Sequence, residues 1–273
     1  MFPDTRDNAH HLSFVRPPPR QPEGASWRPC PRPNPSAGAR LFCFPHAGGG
    51  STAFAAWGEA LPSIEVCPVE LPGRLTRLRQ PPLERMEPLA ELLAKEIGPF
   101  LDRPYALFGH SLGGLIAFEV ARHLRAEDAP PPLALVVAAT PPPHSSRPAR
   151  RLHEGSEEEL IAELRKLNGT PAEVLANREL LHLLLPIVRA DLAVMETYEY
   201  RPDRPLECAI VAVGAEEDRL VSPARLSDWG RHTTARASVV MLPGDHFFLQ
   251  RDLAPLLGVL RASVERPGEA PHG

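Results

Sequence analysis

The stretch Tyr105-Ala-Leu-Phe-Gly109-His-Ser111-Leu-Gly113-Gly114-Leu-Ile-Ala-Phe-Glu-Val-Ala-Arg-His-Leu124 decides the fold. Residues 105–108 form an apolar, strand-like run. Residues 115–124 carry apolar side chains at helical spacing. Between them lies G-x-S-x-G. A serine exposed at the carboxyl edge of a sheet needs a sharp strand-to-helix turn, and such a turn has no room for flanking side chains. Gly109 and Gly113 meet that need, and Gly114 lets the helix sit close. With glycine at roughly 7% of positions, about 0.5% of serines would match by chance, so the strand before and the helix after carry the reading. His110, beside the serine, must diverge from it at a tight turn and reads as a packing residue.

Outward from this turn, short β-like runs alternate with helical patterns. The strand runs are 40–44, 64–70, 105–108, 133–139, 208–213 and 237–242. Most are nearly continuous apolar runs, as in parallel strands buried on both faces. Helical patterns fall at 51–61, 86–101, 111–125, 222–232 and 247–264. The expected fold class is α/β: a mostly parallel central sheet flanked by helices, with right-handed crossovers. Residues between 139 and 208 break the alternation with three helical patterns, at 156–167, 171–176 and 178–198, and Ser156 with Glu159 makes a capping box. This insertion, about 141–200, reads as a helical lid. Leu180 to Leu185 and Ile187 could line an apolar chamber or pack the lid onto the body.

A nucleophilic serine on this fold takes its partners in the order serine, acid, histidine, each from a loop after a strand. The run ending at Ala139 is followed by Thr140-Pro-Pro-Pro, which offers no carboxylate. The run ending at Val213 is followed by Gly214-Ala-Glu-Glu-Asp218, where Glu216, Glu217 and Asp218 compete. Asp218 is favoured, because the loop must climb a few residues toward the site. The last run is followed by Pro243-Gly-Asp-His246-Phe-Phe, which makes His246 the base and Asp245 a turn residue. An oxyanion hole needs two backbone N–H groups. One is expected from Leu112, after the serine. The other is expected from the glycine-rich loop Pro45-His-Ala47-Gly-Gly-Gly50, with Ala47 the candidate. Ser111, Asp218 and His246 are thus the catalytic candidates of an α/β-hydrolase fold, in a scheme that requires no metal or organic cofactor.

The bulk properties narrow the field. The chain has 273 residues and a net charge of −4, a length that fits one large α/β domain or two small ones, and lacks the basic block of a nucleic-acid binder. No run nears the roughly 18–20 apolar residues that span a membrane. Residues 1–26 are rich in proline, arginine and polar residues and read as a disordered tail, with Trp27 docking on the body. The domain is expected over 27–265 and a flexible tail over 266–273. The opening residues lack a secretory pattern, so the chain is expected in the cytoplasm. Four cysteines stand far apart. Cys43, Cys67 and Cys208 lie in apolar runs and read as small buried hydrophobes in a reducing compartment.

Taken together, FCFPHAGGG at 42–50, ELPGR at 70–74, GHSLGG at 109–114, RADLAVMETYEY at 189–200 and LPGDHFFL at 242–249 resemble the type II thioesterases, the stand-alone editing enzymes of polyketide and nonribosomal peptide synthesis. The resemblance runs from about residue 27 to 264 and is less distinct over 152–178. It implies hydrolysis of acyl thioesters on the phosphopantetheine arm of acyl or peptidyl carrier proteins. It also implies a Ser111, Asp218, His246 triad with Ala47 and Leu112 as oxyanion donors. Many relatives have methionine where this chain has Leu112. The donor there is backbone, so packing changes more than chemistry. Arg74, Arg77 and Arg79 are candidates for docking the phosphate-bearing arm. Two other readings use the same residues: a carboxylesterase or lipase for small oxygen esters, and a catalytically inactive binding protein.

Overall fold

A computed structural model describes residues 30–145, 151–167 and 169–267. The expected tail 1–26, Trp27 and most of the C-terminal tail lie outside the described residues. Six strands form one sheet: β1 Ala39–Phe44, β2 Ile64–Pro68, β3 Tyr105–His110, β4 Ala134–Ala138, β5 Ala209–Ala215 and β6 Ala237–Leu242. Their order is β2-β1-β3-β4-β5-β6, and every neighbouring pair is parallel. The helices are α1 Trp57–Ala60, α2 Met86–Ile97, α3 Leu112–Ala126, α4 Glu157–Leu167, α5 Ala172–Ala176, α6 Arg178–Glu196, α7 Pro223–Ser227 and α8 Ala254–Glu265. None is long and apolar enough to cross a membrane.

Strand side chains alternate between two cores. Phe42, Phe44, Leu107, Leu135, Val137, Ile210 and Ala212 point to α2 and α3. Leu41, Cys43, Phe108, Val136, Val211 and Val213 point to Phe54, Trp57 and α8. Helices on both faces remove water from every central strand, which is why these strands read as unbroken apolar runs. The strand order matters for the site. The chain runs from β1 outward to β2 and then returns to the other side of β1 as β3. The loops leaving β1 and β3 therefore diverge at one point on the carboxyl edge, the place where open α/β sheets bind ligands.

Several expected boundaries shift. The pattern at 51–61 divides into a 3-10 turn, Ser51–Phe54, and the short α1. The pattern at 222–232 divides in the same way into α7 and a 3-10 turn. The last helix starts at Ala254 rather than 247. Asp252, just before the N-cap Leu253, accepts the Ala254 N–H at 3.0 Å, and Pro255 lies in the first turn. Residues 245–250 are left as the turns that carry His246. The capping box forms as expected: Ser156 N–H donates to Glu159 at 3.0 Å and Glu159 N–H to Ser156 Oγ at 3.2 Å.

The expectation for the cysteines fails at Cys67. It is joined to Cys30 in a disulfide, while Cys43 and Cys208 are free and buried. The 37-residue separation hides the pairing in the sequence. The segment before β1 lies along β2, with Asn34 N–H on Glu65 at 3.0 Å and Asn34 Nδ2 on the Pro62 carbonyl at 2.9 Å.

Candidate active site

Ser111 sits between β3 and α3 with φ 54° and ψ −117°, a conformation that a residue with a side chain rarely adopts. Its neighbours explain how the chain tolerates it. A Cβ on Gly109 would stand 2.1 Å from the Gly113 carbonyl oxygen, and one on Gly113 would stand 2.2 Å from that of Phe44. Gly114 packs on Thr140, whose hydroxyl donates to the Ser111 carbonyl at 3.0 Å. Ser111 N–H donates to the Ala138 carbonyl at 2.8 Å. The turn is thus fastened to β4, and its Oγ faces the carboxyl edge.

His246 Nε2 lies 3.0 Å from Ser111 Oγ, and His246 Nδ1 lies 2.9 Å from Asp218 Oδ2. Of the three acids after β5, Asp218 is the one that touches the imidazole. Its other oxygen accepts the N–H groups of Leu220 and Val221 at 2.7 and 3.3 Å. Burial alone would raise the Asp218 pKa. The hydrogen bond from His246, that ring's charge and the two amides outweigh it, so the carboxyl lies below its ordinary value and stays ionised. Asp245 caps the turn, accepting the Phe247 N–H at 2.9 Å.

Two further histidines, His110 and His46, stand near His246. His110 is buried, and its Nε2 donates to the His246 carbonyl at 2.8 Å. His46 packs edge-on against both His110 and Phe247. Burial, then the charges of His246 and Arg74, lower its pKa to about 4, so it is neutral at pH 7. The expectation that His110 points away from the position of the base fails, since its ring centroid lies 5.6 Å from that of His246 and its Nε2 donates to that residue's carbonyl, while the expected packing role agrees with its burial.

The loop after β1 is resolved peptide by peptide. Gly49 N–H donates to the His46 carbonyl at 2.9 Å. Gly48 N–H donates to Asp191 Oδ2 at 2.7 Å. Ala47 N–H has no hydrogen-bond partner among the described residues. Leu112 opens α3, where first-turn N–H groups lack an intrahelical acceptor and the helix dipole favours negative charge. The N–H groups of Ala47 and Leu112 are therefore the expected oxyanion donors that no acceptor among the described residues engages.

Two expectations for basic and apolar side chains are corrected. Arg74 and Arg77 are buried in ion pairs, with Asp191 at 2.7 Å and Glu96 at 2.7 Å, so neither can meet an incoming phosphate; Arg79 is exposed. In the insertion, Leu181, Leu185, Val188 and Leu192 bury one another with Leu160. Leu181 and Leu185 of the expected set thus join the insertion's own core, whereas Leu180 and Leu183 are exposed. Gly169 in this insertion rests on the Phe247 ring, where a Cβ would lie 2.1 Å from it. A cavity of about 580 Å³ lies elsewhere, lined by Arg85, Glu119, Arg122, His123 and Tyr198, and touches none of Ser111, Asp218 or His246. Among the described residues, the side chains grouped as a metal would need are Cys30, Glu65 and Cys67, two of which are the disulfide.

Comparison with known proteins gives the same frame. The family described as "Thioesterase domain" matches residues 39–263. The gramicidin S biosynthesis protein GrsT of Aneurinibacillus migulanus is 43% identical over 217 residues, 79% of this chain and 85% of that one. Among solved structures, the RedJ thioesterase from the prodiginine pathway of Streptomyces coelicolor is similar at 40% identity and TM-score 0.76, covering 84% of this chain and 91% of that one. The type II thioesterase BorB from the borrelidin biosynthetic cluster is similar at 36% identity and TM-score 0.80, covering 88% and 98%. The match spans the whole sheet and every loop that meets at Ser111, and the chain belongs to the thioesterase domain family.

Proposed function

We infer that this thioesterase edits a polyketide or nonribosomal peptide synthase, removing acyl groups from the phosphopantetheine arm of its acyl or peptidyl carrier proteins in the cytoplasm. The observation that carries the chemistry is the chain of contacts from Ser111 through His246 to Asp218. The relatives named above support the setting, since they belong to gramicidin S, prodiginine and borrelidin biosynthesis.

In this reading His246 Nε2 takes the Ser111 proton as Oγ attacks the thioester carbonyl. The tetrahedral oxyanion is held by the N–H groups of Ala47 and Leu112. Asp218 fixes the imidazole tautomer and stabilises the imidazolium. The carbon–sulfur bond breaks and the pantetheine thiolate leaves, taking up the proton that His246 returns. Water, deprotonated by the same ring, then attacks the Ser111 ester, and the free acid departs with Ser111 restored. The scheme needs no cofactor from the protein, because the arm belongs to the substrate.

Turnover of acyl-carrier protein, acyl-pantetheine and p-nitrophenyl esters tests the assignment. Acyl-carrier protein is expected to have the highest kcat/KM. A strong preference for p-nitrophenyl esters would instead make the chain an oxygen-ester hydrolase. Failure of a fluorophosphonate to label Ser111 would indicate an inactive scaffold.

A further inference from the structure

We propose that Asp191 and Arg74 are positioning residues that hold the oxyanion loop in its working shape and tie that shape to helix α6. This deepens the serine-hydrolase reading above and rests on it. Neither residue touches the reacting atoms.

The contacts converge on one carboxylate. Arg74 reaches Asp191 through two parallel bonds, Nη2 to Oδ1 at 2.7 Å and Nη1 to Oδ2 at 2.9 Å. The same Nη1 donates to the Gly49 carbonyl at 2.7 Å, and Asp191 Oδ2 also accepts the Gly48 N–H at 2.7 Å. Three separate segments meet here: the loop after β1, the loop after β2 and the lid helix α6. Arg74 belongs to ELPGR and Asp191 to the RAD of RADLAVMETYEY. Two stretches that resemble the family, yet lie outside the triad, are thereby explained by one contact.

The consequence for catalysis follows from the peptide geometry. Fastening Gly48 N–H fixes the plane of the peptide that follows Ala47. The direction of the Ala47 N–H depends on the torsions on either side of it. Gly48 has φ 76°, and a Cβ there would lie 2.7 Å from Val188 Cγ2 of α6, so α6 also presses on the loop sterically. Arg74 has a second task. A carboxylate one peptide away from a developing oxyanion would oppose it, and the guanidinium neutralises that charge.

Stability alone does not account for the pair. A buried ion pair gains little over well-packed apolar side chains of similar volume, and this one leaves Arg74 Nε buried without a partner among the described residues. An apolar pair would fill the space but could not hold Gly48 N–H or the Gly49 carbonyl. Since the carboxylate is carried by α6, a shift of that helix must also shift the hole.

The test measures kcat and KM for thioester hydrolysis, with thermal unfolding, in the full-length parent and in Asp191→Asn, Asp191→Ala, Ser111→Ala and the double variant Arg74→Met with Asp191→Leu. The double variant removes the ion pair while nearly keeping the volume, whereas Asp191→Ala leaves Arg74 buried without its carboxylate and is expected to be less stable. The double variant is expected to unfold near the parent temperature with kcat lowered on the order of 100-fold, the scale of a lost oxyanion donor, and KM changed by less than about threefold. Asp191→Asn keeps an acceptor for Gly48 and is expected to fall between it and the parent. A double variant that turns over within about threefold of the parent overturns the proposal while leaving the triad intact. Parent-like turnover by Ser111→Ala overturns the serine-hydrolase reading and the proposal with it.

Discussion

At the scale of single residues, the site is a set of backbone compromises stabilised by their neighbours. Ser111 holds a positive φ because glycines at 109 and 113 leave room and β4 fastens its amide. Asp218 is ionised because His246 and two amides outweigh its burial. This charge is the element of the triad most easily removed without changing shape. Asp218→Asn is expected to lower kcat by on the order of 10⁴-fold with little change in KM, because an amide cannot hold the imidazole tautomer or stabilise the imidazolium. Steady-state kinetics on acyl-pantetheine checks this, and a loss below about tenfold would remove Asp218 from the role. The three residues were legible in the sequence because chain order and strand-end loops restrict them. Asp191, Arg74 and His110 were not legible as supports, since Asp191 lies 117 residues from Arg74 and 143 from Gly48, His110 lies 136 from His246, and no local pattern announces such contacts.

At the scale of elements, periodicity found each strand to within a few residues, because burial on both faces writes itself as an apolar run. Helix ends were less legible. The last helix was placed seven residues too early, since Phe247 and Phe248 look helical in apolarity while Asp252 and Pro255 set the true start. The disulfide is the clearest gap. Cys30 has no apolar context and nothing nearby marks it as the partner of Cys67. Closing a loop of 37 residues is worth roughly 2–4 kcal/mol, mainly by restricting the unfolded chain. Adding dithiothreitol, or making Cys30→Ser, is therefore expected to lower the unfolding temperature by roughly 5–10 °C. Equal unfolding temperatures with and without reductant would show that the bond does not form in the protein.

At the scale of the whole molecule, the sheet topology sets the loop after β1 next to that after β3 and brings the loops after β5 and β6 to Ser111, so one edge of the sheet holds all the proposed catalytic groups. The same burial makes the fold sensitive to acid. His46 and His232 have pKa values of about 4, His46 through burial and the charges of His246 and Arg74, His232 through burial and the charges of His144, Arg122 and Arg231. Both stay largely neutral in the folded protein between about pH 6.5 and pH 4, where the unfolded chain takes up protons. Protons therefore favour the unfolded state, and stability falls from about pH 6.5 to about pH 4 by up to roughly 1.4 kcal/mol per pH unit for each histidine. Asp218 adds its share above the ordinary carboxylate range and loses it on further acidification. Urea midpoints are expected to drop steadily between pH 7 and pH 5, with a shallower slope in His232→Gln. A flat midpoint over that range would contradict the buried, neutral histidines.

The central claim is that Ser111, activated by His246, carries the acyl group between carrier protein and water. Mass spectrometry of enzyme quenched during turnover of an acyl-carrier protein tests it most directly. The acyl mass is expected on the peptide containing Ser111 and not in Ser111→Ala, which no longer hydrolyses the thioester. Hydrolysis by Ser111→Ala at the parent rate, with no acyl group on the protein, would contradict it.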